Sequence, residues 1–207
     1  MFALGDGSGD PPRDEWPRSV RDRLFDQRVV FVSGTLDGPV SSQAAMELMT
    51  LDASGDEPIQ LQIECSDGDV DSALCLMDVI ELAGVPVRAT ALGLVGGPAV
   101  GVLAVAHHRA ATLHSRLALF EPSASFSGPG RDVESWAEHR LVRWQLFCER
   151  VAVAVKREYE SVAADFGAGR FLGAQEALDY GLLDEISRPD ARLVSLRGRP
   201  MGFGSTR

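Results

Sequence analysis

The stretch IQLQIECSDGDVDSALCLMDVIELAGVPVRATALGL, Ile59 to Leu94, decides the fold. IQLQIEC is a short, largely apolar run bounded by a polar turn, the mark of a strand. DVDSALCLMDVIELAG follows with Val70, Leu74, Met77 and Ile80 near helical spacing, and Gly84 closes that helix. VPVRATALGL then returns as a strand. Strand, crossover helix and strand at these lengths make parallel strands joined by a right-handed connection.

The same alternation extends in both directions. RVVFVSG, Arg28 to Gly34, reads as a buried strand. SSQAAMELMTLDASG, Ser41 to Gly55, reads as a helix with Ser41 or Ser42 as N-cap and Gly55 as its stop. AVGVLAVAHH is expected to be helical to His108, and RLALFEP is a further strand. A long amphipathic helix is predicted over about 133–164, with Trp136, Leu141, Trp144, Phe147 and Val151 on one stripe. The strands are nearly continuous in apolar residues, as expected when both faces of a sheet are covered. The reading is one α/β domain over 18–187, with a flexible arm at 1–17 and a second flexible tail at 188–207.

Composition narrows the function classes. The 207 residues carry a net charge of −10, so no basic field exists to draw nucleic acid or an anionic membrane. No apolar run approaches the roughly 18 residues of a membrane span. The acidic, breaker-rich start is unlike a signal peptide, which points to the cytoplasm. Cys65, Cys75 and Cys148 form no C-x-x-C pair and read as buried free thiols. His107, His108, His114 and His139 have no partners at metal-ligand spacing, and His107-His108 reads as a helix end. SDGDVDS lacks the register of a calcium loop. Neither metal nor cofactor is expected.

GLVGGPAVGVLAVA, Gly93 to Ala106, is a glycine turn running into an apolar helix. A nucleophile elbow is built this way, but it needs a hydroxyl or thiol at the apex and N–H donors for the oxyanion. The apex here is Gly97-Pro98, which supplies neither a reactive side chain nor, at Pro98, an N–H.

Taken with RDRLFDQRVVFVSGTLDGPVSSQAAMELMTLDA, RAATLHSRLALFEP and RFLGAQEALDYGLLDEI, these segments resemble the proteolytic subunit of the ATP-dependent Clp protease (ClpP) over about residues 21–186. The related crotonase superfamily shares the core. The resemblance implies an α/β ClpP/crotonase-type spiral of ββα units with a long handle helix. It also implies seven-membered rings stacked in pairs. The family's serine falls on Gly97 and its histidine on Phe120; one oxyanion donor falls on Pro98. The other lies in a turn where Gly68 is kept but Asp67 is not a family residue. The family's catalytic Asp is matched by Asp165. Loss of a nucleophile or base costs on the order of a million-fold, and loss of one oxyanion donor costs ~10²–10³. The expectation is an inactive homologue that assembles with itself or with an intact paralogue in a heptameric or tetradecameric ring. Gln60 and Gln62 stand where the family's ATPase-docking tyrosines are implied, so docking of the Clp ATPase is not carried over. The other readings are a crotonase-like acyl-CoA binder, with Glu121 as its acid–base candidate, or a serine peptidase with a relocated site.

Overall fold

The computed structural model describes residues 18–123, 125 and 127–187. The arm and the tail expected at the two ends lie outside the described residues. Two sheets organise the described residues. Strands β1 (Val29–Leu36), β2 (Ile59–Gly68), β3 (Val87–Ala91), β5 (His108–Thr112) and β8 (Glu185–Ser187) form a parallel sheet in the order β1-β2-β3-β5-β8. In the second, β4 (Leu94–Gly96) lies parallel to β6 (Arg116–Leu119), and β7 (Arg170–Gly173) is antiparallel to β6.

The sequence reads VPVRATALGL as one strand, but the chain changes sheets inside it. Leu92 and Gly93 separate β3 from β4, and Gly93 makes the turn at φ +56°, a conformation that glycine adopts without penalty. Each of β3-β4 and β5-β6 then leads into a helix: α4 (Ala99–Ala104) and α5 (Gly130–Val155). These are the expected ββα units. Strand β2 lies inside the sheet between β1 and β3, with Ile59, Leu61, Gln62 and Ile63 all buried. Helices α2 (Gly38–Ala53), α3 (Val70–Leu82), α4 and α5 pack side by side.

Several local expectations are corrected. Asp37, not Ser41 or Ser42, caps α2: its carboxylate accepts the Val40 N–H at 3.0 Å. The buried Ser41 hydroxyl instead donates to the Ser72 carbonyl at 2.8 Å, tying α2 to α3. The C-cap of α2 is Ser54, one residue before Gly55. His107 and His108 do not end a helix. α4 stops at Ala104 because the next segment pairs with β3: the His107 N–H donates to the Val87 carbonyl, and His107 Nδ1 accepts the Val87 N–H. Cys75 is exposed, while Cys65 and Cys148 are buried and free as expected.

The helix predicted over 133–164 is two. α5 ends where Lys156 turns left-handed at φ 56°, and α6 (Tyr159–Gly167) follows. The break is held by Arg157, whose Nε donates to the Tyr180 carbonyl at the end of α7 (Ala174–Tyr180) and whose guanidinium lies 4.0 Å from the Tyr180 ring centre. It lets α6 fold back so that Phe166 meets Trp144 and Phe147 edge-on. Of the predicted stripe, Phe147 and Val151 are buried and Trp144 packs partly on the core, but Leu141 is 66% exposed.

Candidate functional site: the glycine elbow

Three segments far apart in sequence meet at the β4–α4 elbow. The first is the elbow itself. β4 ends at Gly96, Gly97 turns at φ +53°, and Pro98 opens α4 at φ −60° and ψ −26°. A left-handed residue between a strand and a helix is the geometry of a nucleophile elbow. The Gly97 N–H donates to the Ala118 carbonyl at 2.8 Å, and its own carbonyl accepts the Val100 N–H at 3.1 Å. Its backbone is therefore committed to the fold.

The second segment is the end of β6. Phe120, just beyond it, lays its ring on the elbow: a Cβ placed on Gly97 would lie 2.9 Å from Phe120 Cε2 and 3.1 Å from Cζ, and one on Gly96 would lie 2.9 Å from Cε1. The third is the end of β2, which continues as strand through the residues read from sequence as a turn; there the Ser66 carbonyl oxygen presses on Gly96 and leaves no room for a Cβ. The glycines at 96 and 97 are thus required by close approach from two sides. Gly68 is similarly enclosed, with Leu36 Cβ 2.6 Å from where its own Cβ would be.

The structure therefore brings Gly96, Gly97, Phe120 and Ser66 at the end of β2 together, with Pro98 next in the chain. A contact between neighbours in the chain lies beyond Ser66: the Gly68 N–H donates to the Asp67 carboxylate at 2.7 Å. That donor points to a negative charge of this chain. Asp165 is engaged elsewhere. Tyr180 Oη donates to its Oδ2 at 2.9 Å, and Arg170 bonds Oδ1 at 3.2 Å. Burial, then the bond to Asp165, pushes the Tyr180 phenol well above its ordinary range, so it stays a donor. Asp165 pins α6 to α7 and β7.

Glu121 forms an ion pair with Arg140 at 3.2 Å, and Arg140 also donates to the Pro122 carbonyl. Sequence reasoning missed Arg140, because its partners lie 18 and 19 positions away in the chain. Both buried thiols are pushed above the ordinary thiol range. Burial, reinforced by Glu64 and Asp37, pushes Cys65 up to about 12, and burial with Glu121 and Glu149 does the same to Cys148. A neutral thiol is a poor nucleophile. Ser115 is buried and donates to the Ala91 carbonyl at 2.9 Å, a structural bond inside the sheet switch. Among the described residues, no cluster of His, Cys, Asp and Glu could hold a metal ion, and no helix is long and apolar enough to cross a membrane.

A spiral of ββα units with a glycine elbow between strand and helix defines an α/β scaffold of the ClpP/crotonase type. The sequence profile of Clp protease matches residues 12–190, and the chain belongs to that family. It is 28% identical over 180 residues to the ATP-dependent Clp protease proteolytic subunit 2 of Thermobifida fusca (strain YX), across 86% of this chain and 89% of that protein.

Proposed function

We propose that this chain is a Clp-family subunit without peptidase chemistry of its own, acting as a structural and interaction subunit in a homo- or hetero-oligomeric ring. The observation that carries the reading is the seating of the Phe120 ring on Gly97. The two positions matched to the family's serine and histidine lie against each other, as a nucleophile and its base must, yet neither carries an ionisable or nucleophilic atom. Pro98 has no N–H to give an oxyanion. The Gly68 N–H faces Asp67, and a carboxylate there opposes developing negative charge. Exposed Leu141, Val142 and Leu146 on α5 support a contact role for that helix. The proposed partners are further copies of this chain or an intact paralogue from the same cell.

Two experiments test the chemistry. The purified chain should remain unlabelled by a fluorophosphonate probe; stoichiometric labelling at a serine would overturn the proposal. Gly97→Ser combined with Phe120→His should restore the missing atoms and still leave peptide hydrolysis at least ~10²-fold below that of an intact Clp-family subunit, because Pro98 remains. Hydrolysis of a fluorogenic peptide by that double variant at the rate of an intact subunit would show that the backbone donors were misjudged.

A further inference from the structure

Phe31, Gln62, Thr90, Ala110 and Glu185 form a row straight across the five-stranded sheet, each in register with the next. The adjacent row, Val32, Ile63, Ala91 and Ala111, points into the hydrophobic core. Neighbours along a strand face opposite sides, so the first row lies on the face turned away from that core. It is sheltered all the same. Gln62 and Ala110 are each 4% exposed, and Val29, on the same face, is 3% exposed. Ala110 and Val29 lie outside the core, and Phe31 is half-buried without packing on it. Helix α1 (Arg18–Asp26) is not the cover. Arg21 Nε donates to Glu47 Oε1 on α2 at 2.7 Å and Phe25 packs on the core, which sets α1 on the helical side.

We propose that the chain's own continuation, residues 188–207, turns back at Pro189-Asp190 and crosses this face, seating Val194 and Leu196 against Phe31. Strand β8 ends at Ser187, two residues past Glu185, so the chain leaves the sheet at the edge where the row ends. Pro followed by Asp is turn chemistry. From β8 to β1 is about 19 Å at ~4.8 Å per strand, and the seven residues to Val194 span about 23 Å when extended. Val194 and Leu196, two apart, share one side of an extended segment. Charge favours the same seating. Residues 188–207 carry five arginines and one aspartate on a chain of net charge −10, and Glu64 and Glu185 are exposed carboxylates on this face. The face that carries Gln60 and Gln62 is then occupied by the chain itself, and is closed to other proteins until the segment is displaced. None of this depends on the chemistry of the elbow.

The full-length chain carrying the photo-crosslinker p-benzoylphenylalanine in place of Phe31 tests the occupant directly. Irradiation of a mixture of isotopically heavy and light protein, followed by peptide mass spectrometry, should give a crosslink to residues 191–197 within one copy. A crosslink to residues 1–17, to the same segment of another copy, or to no peptide at all would overturn the proposal. Hydroxyl-radical footprinting of the full-length chain with its natural Phe31 keeps the question answerable if the bulky label disturbs folding. Val194→Asp with Leu196→Asp should raise oxidation of Phe31 severalfold. Met46 and Met49, 58% and 53% exposed on α2, should be oxidised as in the parent. Equal oxidation of Phe31 in parent and variant would show that this segment does not cover the face.

Discussion

At the residue scale, Gly97 and Phe120 are one steric unit. Serine at position 97 would have to adopt φ +53° and place its Cβ 2.9 Å from the Phe120 ring. The backbone strain costs ~1–3 kcal/mol, and the crowding adds to it unless the ring moves. Gly97→Ser alone should therefore lower stability by about 2–4 kcal/mol in urea unfolding. Adding Phe120→Ala should return part of that loss, since the strain remains while the crowding is relieved. Strict additivity of the two substitutions in a double-mutant cycle would mean that the ring does not confine position 97.

At the scale of elements, two junctions are most exposed to single changes. The first is the α4–α5 crossing. A Cβ on Gly101 would run into the Phe147 ring and come 3.0 Å from Met77 Sδ. Phe147 is fully buried and stacked on Trp144 at 5.1 Å, so it has little room to yield. Alanine gains up to ~1 kcal/mol in helix propensity, but overpacking outweighs it. Gly101→Ala should show a net loss of about 1–2 kcal/mol by thermal or chemical unfolding.

The second junction joins β5 to the segment before β8. Asp184 receives the Arg109 backbone N–H at 2.8 Å, Nε at 3.1 Å and Nη2 at 2.6 Å. These bonds, opposed in part by burial, hold its carboxyl below the ordinary carboxylate value. A depressed folded-state pKa gives stability that is present above the unfolded value, near ~3.9, and is lost as pH falls through the folded value. Stability should thus fall with acid below about pH 4, and Asp184→Asn should flatten that part of the profile. An unchanged acid limb in the variant would assign it to other carboxylates.

For the whole molecule, the expected outcome concerns assembly. The apolar residues exposed on α5, together with Phe171 at 64% exposure on β7, are hard to keep in water on a lone subunit. Native mass spectrometry should find the chain in a multimer, by itself or only after mixing with the intact Clp-family subunit of the same cell. A monomer under both conditions would remove the proposed ring role while leaving the argument about the elbow intact.

Much of this was legible in the sequence. The alternation of apolar runs and helical spacings from Arg28 to about Ala164 pointed to parallel strands and crossover helices, because those periodicities are local properties of the chain; the short strands β7, antiparallel to β6, and β8 were not read from it. The absence of a reactive atom at Gly97, and of an N–H at Pro98, is a matter of residue identity and needs no structure. The turn from β3 into β4, the break at Lys156 and the strand beginning at His108 were not legible. Each is set by a partner distant in sequence: the second sheet, Tyr180 and β3. The same is true of the elbow's surroundings. Only tertiary packing places the Phe120 ring on Gly97, presses the Ser66 carbonyl on Gly96 and joins Arg140 to Pro122. Local propensity acts over a few bonds, whereas these contacts exist only once the sheets and α5 have closed around the same point.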